Sequence, residues 1–76
     1  MAKYSGFSFR DVIRGLRGAG FEVVSQKGSH IKLRKSVTEG KLTVIVPKHK
    51  ELSAGVLRSI REMSGLDEDE FFGLIK

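Results

Sequence analysis

The sequence has no cysteine, one proline and two histidines among its 76 residues. Without cysteine there are no disulfides and no Cys-based zinc sites. No spacing of His, Asp and Glu matches a metal site, so no metal and no cofactor are expected. The longest apolar run, "LTVIV" (42–46), is far too short to span a bilayer. The N-terminus lacks the apolar core of a signal peptide, so a cytoplasmic protein is expected. Aromatic rings are scarce. Tyr4, Phe7, Phe9, Phe21, Phe71 and Phe72 read as core or helix-staple positions, which argues against a platform for stacking single-stranded bases. There is no internal repeat and no low-complexity segment. The length suits one domain over residues 1–76. A chain this short buries only about 60% of its unfolded surface, so any chemistry belongs on a surface or in a shallow groove.

What is abundant is positive charge. The net charge is +5, the pI is near 9.9, and the distribution is uneven. Residues 1–66 hold 13 Lys and Arg against 5 Asp and Glu, a net +8, whereas Asp67, Glu68, Asp69 and Glu70 form one acidic run. Such a balance suits a polyanionic partner, nucleic acid first.

Helix signals are readable at three places. Ser8 is a cap with Asp11 at N3, and Phe7 and Val12 form a hydrophobic staple around it. Val12, Ile13, Leu16 and Ala19 follow at helical spacing, and Gly20 is a natural stop. Gly15 and Gly18 each weaken this helix by about 1 kcal/mol relative to Ala. A second helix starts at Ser53, with Leu52 and Leu57 as its staple. It buries Val56, Leu57, Ile60 and Met63 and ends at Gly65. A short third helix is capped by Asp67, with Glu70 at N3 and Leu66 facing Phe71. The acidic run therefore sits at the positive end of a helix dipole.

Between the first two helices lie three strand-like segments, "FEVVSQ" (21–26), "HIKLRK" (30–35) and "KLTVIV" (41–46). Lys27-Gly28-Ser29 makes a hairpin connection, "SVTEG" a second turn, and Pro47 stops the third strand. The order α-β-β-β-α, plus a terminal helical turn, predicts an α+β fold. Its three-stranded antiparallel sheet carries helices on one face and leaves the other open. Alternation then sends Ile31, Leu33, Leu42, Val44 and Val46 to the core. It sends His30, Lys32, Arg34, Lys41, Thr43 and Ile45 to the open face; a one-residue slip would reverse this.

His30 is the strongest candidate for chemistry. It follows a glycine turn, shares its face with Lys32 and Arg34, and has the Ser29 hydroxyl beside it. Imidazole is the side chain that exchanges protons near neutral pH. RNA supplies its own nucleophile, the 2′-hydroxyl. An enzyme acting on it needs a base, an acid and cations for the charged transition state. No elbow or buried carboxylate accompanies Ser29, which argues against a serine-hydrolase triad. His49, in "PKHK", is a second proton carrier or phosphate contact, or a solvated loop residue. Lys32 and Arg34 are candidate phosphate or transition-state contacts, with Lys27 and Lys48 as weaker ones. Arg10, Arg14 and Arg17 line one helix face, either as a phosphate-binding ridge, as a contact for an acidic partner, or as a solvated face.

The stretches "LRGAGFEVVSQKGSHIKLRK", "LTVIVPKHKEL" and "GVLRSIREMSGL" resemble the HicA family of toxin mRNA interferases, from about Phe9 to Leu74. The most specific elements are Ala19-Gly20-Phe21, Lys27-Gly28-Ser29-His30, Val46-Pro47 with His49, and Gly55 with Leu57, Arg58 and Ile60. The resemblance implies a double-stranded-RNA-binding-domain-like fold. It implies a ribonuclease that cleaves mRNA and arrests translation, and a HicB-type antitoxin that covers its site. It makes His30, in Gly-Ser-His, the catalytic histidine. Two positions depart from the family pattern. Leu33 stands where members often carry an aromatic, and Ser53-Ala54-Gly55 where many have Lys-Pro-Gly. The competing readings are a non-catalytic module of the same fold that holds structured RNA by shape and phosphate contacts, and a degenerate toxin kept as an interaction protein.

Overall fold

The computed structural model describes residues 4–76. Its elements are α1 (Phe9–Gly18), β1 (Glu22–Lys27), β2 (His30–Val37), β3 (Gly40–Pro47), α2 (Ala54–Ser64) and α3 (Glu68–Ile75). The strands form one antiparallel sheet in the order β1-β2-β3. The α+β architecture expected from the sequence is therefore the one found.

Each helix begins as its residues dictate. At α1 the Asp11 N–H donates to Ser8 Oγ (3.4 Å), and the Ser8 N–H donates to the Asp11 carboxylate (3.0 Å). At α3 the Glu70 N–H donates to Asp67 Oδ1 (2.8 Å), and the Asp67 N–H to Glu70 Oε1 (3.4 Å). Both are capping boxes, each satisfying two donors that a helix start leaves without intrahelical partners. Ser53 caps α2 by accepting from the Val56 N–H, and Gly65 ends it in the left-handed region at φ 75°.

The hairpins set the register. Lys27 pairs with His30 across a two-residue loop, Gly28-Ser29, whose glycine takes φ 58°. A positive φ at the first loop position alone is the pattern of a type II′ turn, whose twist matches that of the flanking strands. β2 and β3 pair without interruption from His30–Pro47 to Val37–Gly40. β1 carries a bulge between Val23 and Ser25. It increases the local twist of this exposed edge strand.

The core is built from Ile31, Leu33, Val44 and Val46 of the sheet, Val12 and Leu16 of α1, Leu57 and Ile60 of α2, and Phe71, Phe72 and Ile75 of α3, with Phe21 and Leu52 from the connections. The strand alternation is as expected, so the register does not slip. The buried stripe of α2 differs from the one its spacing predicts. Met63 is 37% exposed and Ser64 is buried, while Val56 is only half-buried. The reason is the turn into α3. Ser64 Oγ donates to the Arg61 carbonyl (2.6 Å) and accepts from the Leu66 N–H (3.2 Å), so its burial costs no unpaired polar group. With Leu57, Ile60 and Ser64 turned inward, α2 runs along β3 and its Val56–Met63 flank faces the sheet edge.

α1 and α3 pack closely because Gly15 has no side chain. A Cβ there would lie 2.6 Å from Ile75 Cγ2 and 3.0 Å from the Leu74 carbonyl carbon. Arg14 strengthens the same junction, its guanidinium donating to the carbonyls of Ile75 (2.8 Å) and Lys76 (3.3 Å). These are end carbonyls of α3, where a cation meets the negative end of the helix dipole.

Candidate active site

The open face of the sheet reads as three cross-strand rows: Lys27–His30–Pro47, Ser25–Lys32–Ile45 and Glu22–Arg34–Thr43. The bulge at Val24 creates this alignment. Without it, the strand beyond Val23 would pair one residue out of step, and Lys27 would not stand opposite His30.

His30 opens β2 as an exposed residue. Its position is fixed from both sides. Lys27 pairs with it across the turn, and Pro47 pairs with it on β3. The next residue after Pro47 closes the end, the Lys48 N–H donating to the Ser29 carbonyl at 2.6 Å. Ser29, His30, Lys48 and the start of the 48–52 loop thus converge at one end of the sheet. The loop is tied down in turn. The Phe9 N–H donates to the His49 carbonyl (3.1 Å), and the Leu52 N–H to the Phe7 carbonyl (2.8 Å). The backbone of His49 therefore anchors the start of α1, and its side chain is exposed.

The other candidates divide into groups. Lys27 and Lys48 are exposed beside His30, and Lys32 is half-buried one row further in. Their ammonium groups have no ion-pair or hydrogen-bond partner among the described residues. Arg34 is half-buried two rows from His30, with Glu22 as its cross-strand neighbour. The α1 arginines line a groove separate from His30, although the start of α1 is bonded to the His49 carbonyl at this end of the sheet. Arg10, Arg14 and Arg17 border a shallow groove floored by Phe9 and Ile13. Arg14 is engaged with the end of α3 and with Asp11 (3.4 Å), and the Arg10 guanidinium carbon lies 5.6 Å from the centre of the Phe9 ring.

A groove also opens at His30. It is bordered by Ile45 and Pro47 of β3, by Ser53 and by Gly55, Val56, Ser59, Ile60 and Met63 of α2. Of the proposed catalytic and RNA-contacting residues, only His30 lines it. Helical spacing assigns Met63 and Val56 to the core, and nothing in the sequence pattern singles out Ser59. No single-strand pattern marks these residues, because the groove exists only where the flank of α2 meets the β3 edge. Among the described residues, no group of three His, Asp or Glu side chains is placed to hold a metal ion, and no helix is long and apolar enough to cross a membrane.

The fold and the site define a small basic α+β domain whose reactive candidate is borne on a sheet face rather than in a deep pocket. Residues 9–66 match the family described as "HicA toxin of bacterial toxin-antitoxin", and the chain belongs to this toxin family. The matched span runs from the first residue of α1 into the α2–α3 turn. It leaves out α3, although Phe71, Phe72 and Ile75 complete the core. No curated protein sequence is similar enough to count as a match.

Proposed function

We propose that this toxin is an endoribonuclease that cleaves mRNA and so arrests translation, with His30 as its proton-transfer group and a HicB-type antitoxin as its inhibitor. The observation that supports the reading best is the location of His30. It is exposed on the open sheet face, in a row with Lys27 and one row from Lys32, inside a chain of the toxin family.

The chemistry follows from RNA itself. His30 takes the proton of a 2′-hydroxyl, whose oxygen bonds to the adjacent phosphorus while the P–O5′ bond breaks. The leaving O5′ gains a proton, returned by the imidazolium or supplied by a second carrier, for which His49 is the candidate. The products are a 2′,3′-cyclic phosphate and a 5′-hydroxyl, so no external oxidant, reductant or nucleophile is consumed. Lys27, Lys32 and Lys48, with Arg34 and the Ser29 hydroxyl further candidates, offset the charge that builds on the phosphoryl oxygens. No step draws on a metal, so cleavage is expected to survive EDTA.

The test is RNA integrity on gels with purified wild type and His30→Ala, with and without EDTA. Thermal melting is measured alongside. Cleavage by wild type and its loss in a folded His30→Ala variant is the expected result. Full cleavage by His30→Ala would sink the assignment, and an intact transcript with wild type would favour the non-catalytic binding module.

A further inference from the structure

The groove beside His30 has a chemistry unlike the rest of the open face. Ile45, Pro47, Val56 and Met63 give it apolar walls, with Met63 37% exposed and Val56 and Ile45 half-buried. Two hydroxyls stand among them. Ser53 Oγ accepts from the Val56 N–H and keeps its own proton to donate. Ser59 is exposed and has no hydrogen-bond partner among the described residues.

Gly55 adds an independent observation. It lies in the first turn of α2, where glycine weakens a helix by up to about 1 kcal/mol relative to alanine. The fold does not require it. A Cβ at Gly55 would meet nothing within 4 Å, whereas one at Gly15 would collide with Ile75. What the missing side chain provides at Gly55 is room on the wall of the groove.

A shallow, open groove with apolar walls and hydroxyls at its edge suits one face of a flat ring that has hydrogen-bonding groups on its rim. The uncompensated lysines nearby favour a ligand whose backbone is anionic. We propose that this groove seats one unstacked nucleobase of single-stranded RNA, next to the phosphodiester presented to His30. The base packs against Val56, Met63 and Pro47, and Ser53 and Ser59 meet its polar edge. Splayed bases are usually held on aromatic or Arg planes, and extruded ones also between apolar side chains, with hydrogen bonds to the base edge; here aliphatic side chains take that place. The subsite rests on the nuclease reading above, and it makes the substrate an unpaired strand rather than a duplex read by shape.

The test uses the full chain and a short oligoribonucleotide spanning a mapped cleavage site. A single 2′-deoxy sugar at the scissile position removes the nucleophile, so binding is measured without cutting. Bases are then deleted one position at a time. Loss of the seated base is expected to weaken binding about tenfold, near the lower end of the range for a base stacked on an aromatic ring, because the walls here are aliphatic. Gly55→Leu, which fills the groove, and Met63→Ser, which strips a wall, should each reproduce that loss on the intact oligonucleotide and abolish the dependence on the base. A flat scan with a wild-type chain that still cleaves overturns the subsite and leaves the nuclease reading standing. Wild type that cleaves no RNA overturns both. If the two groove variants keep the base dependence but lose the antitoxin complex, the groove's occupant is protein and the subsite is overturned.

Discussion

At the scale of single residues, two histidines lie near one end of the sheet with different surroundings. His30 borders a groove; His49 holds α1 through its carbonyl and exposes its ring. Removing a general acid–base group costs on the order of a hundred- to ten-thousand-fold in rate. His30→Ala should fall in that range with its melting temperature little changed, because exposed substitutions usually alter stability by less than about 0.5 kcal/mol. His49→Ala leaves the anchoring carbonyl in place, so it should also stay folded. Equal loss of cleavage in both variants would mean two histidines share the proton transfers. Asp11 provides a pH prediction. The Ser8 backbone N–H holds its carboxyl below the usual carboxylate value; partial burial opposes this, and the Ser8 hydroxyl and Arg14 add to it. A carboxyl depressed in the folded state stabilises the fold above its unfolded value, and that contribution is lost as pH falls through the folded value. Asp11→Asn should therefore lower the melting temperature at neutral pH, and the deficit should shrink as the solution is acidified through the folded-state value. A deficit that persists in acid would assign the effect to shape rather than charge. His30's place on the open face was legible in the sequence from alternation alone. Met63 was not, because a period of 3.6 residues admits either flank of α2. The choice was made by Ser64, a polar residue that burial usually excludes but whose two hydrogen bonds compensate.

At the scale of elements, helix starts and strand faces were legible because each depends on neighbours within a few residues: Ser8 with Asp11, Ser53 with Val56, Asp67 with Glu70. What joins elements was not. Gly15 and Gly18 read alike as weak points of α1, yet their environments differ. At Gly18 the nearest atom to an added Cβ is Leu74 Cδ2, an ordinary contact at 3.7 Å. At Gly15 an added Cβ would press on a short side chain and a backbone carbonyl of α3. Overpacking of this kind costs about 1–3 kcal/mol, which outweighs the helix propensity alanine gains. Gly15→Ala should thus destabilise the protein, whereas Gly55→Ala, with open space around it, should stabilise α2 by about 0.5 kcal/mol. Denaturant melts of the two variants read this directly. A neutral or stabilising Gly15→Ala would show that α3 can move away from α1 at little cost.

At the scale of the whole molecule, the excess of positive charge read from composition does not act as one field. Part of it is engaged inside the fold. Arg14 binds the end of α3. Arg61 donates to the Tyr4 hydroxyl and the Leu66 carbonyl, and the Arg58 guanidinium carbon lies 5.0 Å from the centre of the Tyr4 ring. Composition could not distinguish these from the lysines around His30, because the difference lies in contacts between segments some sixty residues apart, such as Arg14 with Ile75. If RNA lies across the open face, Lys27→Ala with Lys32→Ala should weaken binding and reduce the salt slope by roughly one unit for each phosphate no longer neutralised. Arg34→Ala should matter less, since Glu22 stands across from it. Arg14→Ala should lower the melting temperature and leave the salt slope unchanged. The antitoxin should meet the same lysines with acidic groups, so its association should slow as salt rises while dissociation changes less. Binding isotherms over a salt series, taken on the lysine pair and on an Arg10, Arg14 and Arg17 triple alanine variant, decide the face. A larger loss of RNA affinity in the arginine variant, with its fold intact, would move the RNA path from the sheet to α1.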